Sequence, residues 1–167
     1  AGINDVFALQ LGQSGGALSI GGYNPNYFDG DLNWTPMVGS STHYVIPNPV
    51  ISLDGISGNI KASKKTVTIV DSGTTHLLVP ETVFSQLSDA ITSYLTRSLG
   101  KCPYNVCTDW SSSILNTARC TAGLDTQGWP TINFELERKM SIYDDKKEYF
   151  TVSLQPSEYF IIGGYQG

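Results

Sequence analysis

The run Thr68-Ile69-Val70-Asp71-Ser72-Gly73-Thr74-Thr75 places one carboxylate on a short polar turn between two apolar stretches. Val67, Ile69 and Val70 predict a buried strand that leads into this turn. The glycine lets backbone come close to whatever the carboxylate faces, and the three short hydroxyls can orient it. An aspartate presented in this way can act as a general base. Asp71 is therefore the first candidate for a catalytic residue.

A structural interpretation of the same turn is also open. Aspartate side chains often bond the backbone of their own turn, and an isolated Asp-Ser-Gly tripeptide favours such an Asx turn. The apolar flanks and the Thr74-Thr75 extension favour chemistry instead. The local pattern leaves both interpretations standing.

Length and composition limit the classes of protein to which the chain can belong. Its 167 residues, 40% of them hydrophobic, predict one domain over residues 1–167, or one lobe of something larger. A net charge of -5 with 15% charged residues argues against binding to nucleic acid. No apolar run reaches the roughly 20 residues of a membrane helix, so no membrane association is expected. The start of the chain has no signal-peptide pattern, so a soluble, already processed chain is expected.

Cysteines and histidines give no pattern of metal ligands. Cys102, Cys107 and Cys120 predict one local disulfide and one cysteine whose partner lies elsewhere. His43 and His76 are far from them in sequence and no C-x-x-C pair exists, so neither a metal nor another cofactor is predicted. Asn33-Trp34-Thr35 is a candidate glycosylation site.

Short alternating apolar segments separated by turn residues predict an all-β fold with one main helix. The helix follows Pro80, has apolar residues at intervals of three and four, and ends before Gly100. Its apolar stripe is expected to pack on the sheet that carries Asp71. A cysteine-bearing loop at 100–128, with a helical turn near 111–115, and a charged hairpin at 137–147 are also expected. The predicted strands are residues 6–11, 17–20, 31–37, 44–53, 131–136 and 148–154, with a last apolar stretch at 158–162.

Several ordered segments together resemble the C-terminal lobe of pepsin-like aspartic peptidases. The resemblance covers nearly the whole chain, and Asp71-Ser72-Gly73-Thr74-Thr75 is similar to the second catalytic aspartate motif of that family. The other similar segments are Asp5-Val6-Phe7-Ala8-Leu9-Gln10-Leu11, Gly15-Gly16-Ala17-Leu18-Ser19-Ile20-Gly21-Gly22-Tyr23-Asn24-Pro25, Tyr27-Phe28-Asp29-Gly30-Asp31-Leu32-Asn33-Trp34-Thr35-Pro36-Met37, Leu78-Val79-Pro80, Pro130-Thr131-Ile132-Asn133-Phe134 and Pro156-Ser157-Glu158-Tyr159-Phe160.

The resemblance implies a double-psi type β lobe in which Asp71 is one of two catalytic aspartates. It implies that Gly73 offers backbone to the substrate, and that Thr74 and Thr75 bond the aspartate or the substrate main chain. Ser72 would hold the turn, and Tyr44 would line a primed-side subsite. For Ser72, Thr74 and Tyr44 a purely structural role is the alternative. The resemblance also implies a secreted or lumenal protein of an acidic compartment, such as a vacuole or lysosome, made as a zymogen.

Two parts of the family pattern are missing from these 167 residues. One is the N-terminal lobe, with its own Asp-Thr/Ser-Gly motif and flap tyrosine. The other is the closing segment, of which Phe160-Ile161-Ile162-Gly163-Gly164 is either a shortened version or, as we favour, a continued strand. In the second case the third cysteine would pair with the missing segment.

The chemistry of this family requires two carboxylates that share one proton, because one accepts a proton from water while the other donates to the peptide carbonyl. Activity on a polypeptide substrate is therefore expected only together with the N-terminal lobe, as a separate chain or a missing segment. A retroviral-type dimer of two copies is a weaker alternative, because such protomers are much shorter.

Two other functions compete with the peptidase interpretation. One is a catalytically inactive pepsin-fold protein that binds or inhibits. The other treats Asp71-Ser72-Gly73-Thr74-Thr75 as the phosphate-binding turn of an actin-like ATPase or sugar kinase. Such turns usually open their domain, whereas four predicted strands precede this one, so the ATPase interpretation ranks last.

Overall fold

The computed structural model describes residues 2–12, 14–39, 42–100, 123–139 and 147–160. The chain divides into two compact units, Ala1–Asn33 and Trp34–Gly167. Each unit is described by itself below, and the single domain over residues 1–167 stays a prediction. Mostly β structure with one main helix, as the sequence predicts, is what the described residues form.

The first unit is a β-hairpin followed by a short 3-10 helix. Strand β1, Phe7–Gly12, pairs antiparallel with β2, Gly15–Ile20, so that Leu9 lies opposite Leu18. Both strands match the predicted segments. The 3-10 helix Pro25–Tyr27 begins after Asn24, whose side chain accepts a hydrogen bond from the Asn26 amide. The strand predicted at residues 31–37, which runs across the boundary between the two units, is wrong, because residues 31–38 form no strand.

The second unit is organised around a four-stranded antiparallel sheet. Its strands are β4 (Val50–Leu53), β5 (Ile60–Lys61), β7 (Ile132–Arg138) and β8 (Glu148–Leu154), in the spatial order β5-β4-β7-β8. Strands β7 and β8 confirm two predicted segments. The predicted strand at 44–53 is split by Pro47 and Pro49, because proline cannot donate to a sheet ladder.

Helix α1, Glu81–Leu99, confirms the predicted helix. It ends where Gly100 adopts a left-handed conformation with φ 65°, which costs glycine little. The buried face of α1 has a residue at every fourth position, and this face packs on buried residues of β4, β5 and β7. The buried side chains of this core are Ile51, Leu53, Ile60, Val83, Leu87, Ile91, Leu95, Trp129 and Ile132.

Two remaining strands form a separate pair that leads to Asp71. Strand β3, Val45–Ile46, pairs antiparallel with β6, Thr68–Ile69. The core under α1 contains no residue of this pair. The expectation that α1 packs on the sheet carrying Asp71 is therefore wrong, and the reason is that β6 pairs with β3 rather than with the four-stranded sheet.

The second helix, α2, is Pro156–Tyr159. The expected strand after Pro156 is therefore wrong for residues 156–159, where Pro156 occupies the first turn of a helix instead. Gln155 caps it in a reciprocal capping box with Glu158. The Tyr159 hydroxyl donates a 2.8 Å hydrogen bond to the Pro130 carbonyl, and the rings of Trp129 and Phe160 meet edge to face with centroids 4.9 Å apart. Burial raises the pKa of Tyr159, so the phenol stays a neutral donor.

Several predictions fall on parts of the chain outside the described residues. All three cysteines, the helical turn at 111–115, the tip of the charged hairpin and residues 161–167 belong to this group. The base of that hairpin is described, and there Lys147 forms a 2.6 Å salt bridge with Glu137. Among the described helices, none combines the length and the apolar character that crossing a membrane would require.

Candidate active site

The loop that carries Asp71 begins directly after β6 and is positioned from both sides. On one side the Val70 amide donates a 2.9 Å hydrogen bond to the Tyr44 carbonyl, which extends the ladder between β3 and β6 by one residue. On the other side Asn48 accepts from the Thr68 hydroxyl at 2.7 Å and donates to the Thr66 carbonyl at 2.9 Å. Asn48 lies between Pro47 and Pro49, in the segment that separates β3 from β4. Its side chain therefore connects that segment to the residues that lead into the Asp71 loop.

Two donors from the turn itself hold the Asp71 carboxylate. The Gly73 amide donates to Oδ1 at 2.8 Å, and the Thr74 hydroxyl donates to Oδ2 at 2.5 Å. The first bond is the Asx turn that the structural interpretation expected. A side chain at position 73 would place its Cβ 3.1 Å from Oδ1, so glycine allows the close approach.

These donors favour the ionised carboxylate. The hydrogen bond from Thr74 is the largest cause that lowers the pKa of Asp71, followed by the Gly73 amide, while desolvation, which ranks below both, acts in the opposite direction. The positive charge that His43 can carry lowers this pKa further. None of these causes is a second carboxylate, so within the described residues Asp71 lacks the partner that would keep one of two acids protonated.

The Asp71 loop is exposed, and most of the residues that flank it along the chain are exposed apolar ones. Asp71, Ser72, Gly73, Thr74 and Thr75 are all exposed. The predicted burial of the preceding strand is wrong, because these side chains have no covering layer: Val70 is 56% exposed. The other exposed apolar residues that flank the loop are Val67, Ile69, Leu77 and Leu78.

Two further predicted site residues, Tyr44 and Asn33, lie outside the Asp71 loop. Tyr44 is brought next to it, because its carbonyl bonds the residue before Asp71. Its side chain is half exposed. Asn33 is the last residue of the first unit and is exposed on an irregular segment, so its glycosylation stays a prediction. No cluster of residues that could hold a metal ion occurs in the part of the chain that the structure describes.

Sequence reasoning missed His43. The hydrogen bond from the Val70 amide to the Tyr44 carbonyl brings the residues after β6 next to those before β3, and the charge of His43, which precedes β3, contributes to lowering the pKa of Asp71. The two residues are 28 positions apart in the chain, so spacing alone does not reveal their proximity. The sequence does show that His43 directly precedes Tyr44, a predicted subsite residue, and this adjacency could have pointed to His43.

Comparison with known proteins adds an independent observation. Residues 3–159 match the sequence model of a family described as eukaryotic aspartyl protease. The chain is 25% identical to beta-secretase of Strongylocentrotus purpuratus over 93% of its own length and 36% of that protein. It is 36% identical to mouse cathepsin E over 48% of its length and 19% of that protein.

A fungal relative has the same partial coverage. The chain is 34% identical to rhizopuspepsin-4 of Rhizopus niveus over 65% of its length and 26% of that protein. The chain thus spans between 19% and 36% of the length of these three relatives. The aspartate loop, its donors and its open apolar surroundings lie within the matched residues.

Proposed function

Because the chain belongs to the eukaryotic aspartyl protease family, we propose that it is the C-terminal, double-psi type β lobe of a two-lobed aspartic endopeptidase. In this proposal Asp71 supplies one of the two catalytic aspartates. The N-terminal lobe, as a separate chain or a further segment, supplies the other. The substrate is a polypeptide, and neither a metal nor another cofactor takes part.

The observation that carries the proposal is an exposed carboxylate that accepts two hydrogen bonds from its own turn and is flanked along the chain by exposed apolar residues. Thr74 and Gly73 stabilise the charged form of Asp71. Exposed apolar patches on soluble proteins commonly mark interaction sites. A second lobe placed over Val67, Ile69 and Leu78 would bury them and would bring a second carboxylate to Asp71.

The two carboxylates would then share one proton. Two like charges about 3 Å apart cannot both ionise, so their pKa values separate and the pair titrates as a unit. The ionised member takes a proton from water as it attacks the peptide carbonyl carbon. The protonated member donates to the carbonyl oxygen, which gives a tetrahedral intermediate without any metal.

Each remaining residue of the loop has a role in this scheme. Gly73 presents backbone to the substrate near the scissile bond, and Ser72 holds the turn. Thr74 orients the carboxylate through its 2.5 Å hydrogen bond. Thr75 bonds the substrate main chain, and Tyr44 lines a primed-side subsite beside the loop.

The proposal extends to the setting of the protein. We expect a secreted or lumenal protein of an acidic compartment, made as a zymogen, with glycan on Asn33 and one local disulfide among the three cysteines. Residues 1–167 act in it as one lobe. The family match favours neither the inactive binding protein nor the ATPase-like alternative.

The test uses the complete enzyme, this chain with its N-terminal lobe, and compares wild type with Asp71→Asn. Native mass spectrometry first establishes whether the two lobes form one particle. Cleavage of denatured protein between about pH 3 and 5 is then followed. We expect Asp71→Asn to lower kcat by at least about a thousandfold with an unchanged thermal midpoint.

Undiminished turnover in Asp71→Asn would remove Asp71 from the reaction. A wild-type particle that has both lobes and binds peptide without cleaving it would support the inactive pepsin-fold binding protein. A rise in the thermal midpoint on adding ATP and Mg²⁺ would support the ATPase-like alternative.

A further inference from the structure

The Asn48 side chain uses both ends of its amide on the segment that leads to Asp71. Its nitrogen donates to the Thr66 carbonyl at 2.9 Å and to the Ser63 carbonyl at 3.3 Å, and its oxygen accepts from the Thr68 hydroxyl at 2.7 Å. Backbone carbonyls only accept hydrogen bonds, so these contacts decide which end of the amide faces them. The amide is thus held in one orientation by three residues of the segment 63–68.

Strand β6 needs such support because its backbone pairing is short. It pairs with β3 over two residues, and the core under α1 contains no residue of either strand. Directly after β3 the chain has Pro47 and Pro49, which have no amide hydrogen to donate. Asn48 lies between them, and its side chain supplies to the Thr66 carbonyl a donor that the prolines lack.

The connection from Asn48 to the aspartate loop runs through Thr68. Thr68 is the first residue of β6, and Asp71 follows it by three residues, which is about 10 Å of extended chain. Further along this stretch, the Val70 amide donates to the Tyr44 carbonyl at 2.9 Å. The stretch before Asp71 is therefore held at two points, by a side chain at Thr68 and by the backbone at Val70. Loss of the first point would let the stretch pivot on the second.

We propose that Asn48 is a positioning residue: its side chain fixes β6 and thereby the place of the Asp71 carboxylate against the carboxylate of the N-terminal lobe. This inference rests on the proposed peptidase function. Two carboxylates share a proton at a separation of about 3 Å, and a misplacement of about 1 Å can cost a hundredfold in rate. Asn48 acts through Thr68 and not on the substrate, so its effect belongs to kcat and not to KM.

The first test measures kcat and KM of the complete enzyme on one peptide between about pH 3 and 5. We expect Asn48→Ala to lower kcat by about tenfold or more, because the dyad loses its alignment. KM should change by less than about twofold, because the residues that bind the peptide remain. An unchanged kcat in Asn48→Ala overturns the proposal.

The matched control is Asn133→Ala, in the four-stranded sheet. The Asn133 side chain also donates and accepts, to Asp54 Oδ1 at 2.7 Å and from the Ser153 hydroxyl at 2.6 Å, but it lies on β7. Its loss should lower the thermal midpoint, because hydrogen bonds are removed here too, and should leave kcat and KM at the wild-type values. A kcat loss equal to that of Asn48→Ala would assign the effect to stability and overturn the proposal.

A second variant tests the route through Thr68. Thr68→Val removes the hydroxyl that donates to Asn48 and keeps the branched shape, and we expect kcat to fall by about two- to fivefold. Combined with Asn48→Ala it should lower kcat no further, because the bond is already lost. A double variant whose loss equals the product of the single losses overturns this route. If Asn48→Ala does not fold, an unchanged kcat in Thr68→Val overturns the proposal.

Hydrogen exchange, followed by mass spectrometry, is independent of cleavage. In the complete enzyme, Asn48→Ala should speed the exchange of the segment 66–75, which includes the Val70 amide, by about two- to tenfold, the factor that corresponds to one net hydrogen bond. Asn133→Ala should leave the exchange of this segment at the wild-type rate.

The two measurements separate the two proposals. Unchanged exchange of the segment 66–75 in Asn48→Ala overturns the role of Asn48 even in an active peptidase. Faster exchange in an enzyme whose wild type cleaves no peptide supports the placement of β6 by Asn48, while the peptidase function and the catalytic role that rests on it both fail.

Discussion

The packed core under α1 and the loop of Asp71 are built in opposite ways. In the core, Leu95 is 0% exposed and lies among buried residues from three strands. In the loop, Val70 is 56% exposed, and Asp71 is held by donors only two and three positions away. Distant parts of the chain thus converge in the first region, whereas local sequence specifies the turn in the second.

The two regions differ in how much they contribute to the stability of the fold. Burial of a large apolar side chain stabilises a fold by about 1.5–3 kcal/mol, and the core has nine such residues. The turn at Asp71 adds hydrogen bonds on an exposed surface, where a net contribution is small. Under the proposed function the carboxylate has to reach water and substrate, which an exposed loop allows and a buried position would not.

The largest expected loss in the free energy of unfolding comes from truncating a side chain of the core. Leu95→Ala removes a fully buried side chain and should lower the free energy of unfolding by about 2–5 kcal/mol, because a cavity remains. Urea unfolding of the complete enzyme, followed by circular dichroism, measures it. The matched control is Leu78→Ala beside the aspartate loop, where the side chain is 74% exposed.

In the absence of a covering lobe, Leu78→Ala should change the free energy of unfolding by less than about 0.5 kcal/mol. In the complete enzyme a larger loss would indicate that the partner lobe covers this residue. Equal losses for Leu95→Ala and Leu78→Ala in the chain alone would contradict the contrast between the two regions.

A smaller effect is expected where α2 closes the core. Tyr159→Phe removes the hydroxyl that donates to the Pro130 carbonyl, and we expect a loss of about 1 kcal/mol in the free energy of unfolding. Thermal unfolding at neutral pH measures it. The control Tyr149→Phe changes a half-exposed ring and should have less effect, so equal shifts would count against the importance of the Tyr159 bond.

The smallest effect on stability, and the most local, concerns the carboxylate. Thr74→Val removes the largest cause that lowers the pKa of Asp71, so this pKa should rise, as carbon NMR can measure. Because the folded pKa lies below the unfolded one, the stabilisation by Thr74 is present above the unfolded pKa and is lost as the pH falls through the folded pKa.

Thr75→Val is the matched control for this change. In the structure the hydroxyl on Asp71 comes from Thr74, so removing the neighbouring hydroxyl should leave the pKa of Asp71 where it is. A rise in Thr75→Val equal to that in Thr74→Val would mean that the two threonines exchange roles in solution.

Local patterns predicted the regular elements well. Helix α1 was predicted because four-residue apolar spacing, Pro80 before it and Gly100 after it all act within one segment. Strands β7 and β8 follow from alternation in the same way. The strand at 31–37 was predicted wrongly because alternation does not ensure a pairing partner, and the strand at 44–53 because Pro47 and Pro49 interrupt the ladder.

The sequence by itself determined the aspartate turn, since its donors lie within three residues of the carboxylate, and it determined the family through ordered motifs. Only the tertiary structure decided that β6 pairs with β3, that α1 packs on the other sheet, and that Tyr44 lies next to the aspartate loop. The physical reason is that strand pairing and register depend on contacts between residues far apart in the chain. Spacing along one segment does not encode such contacts.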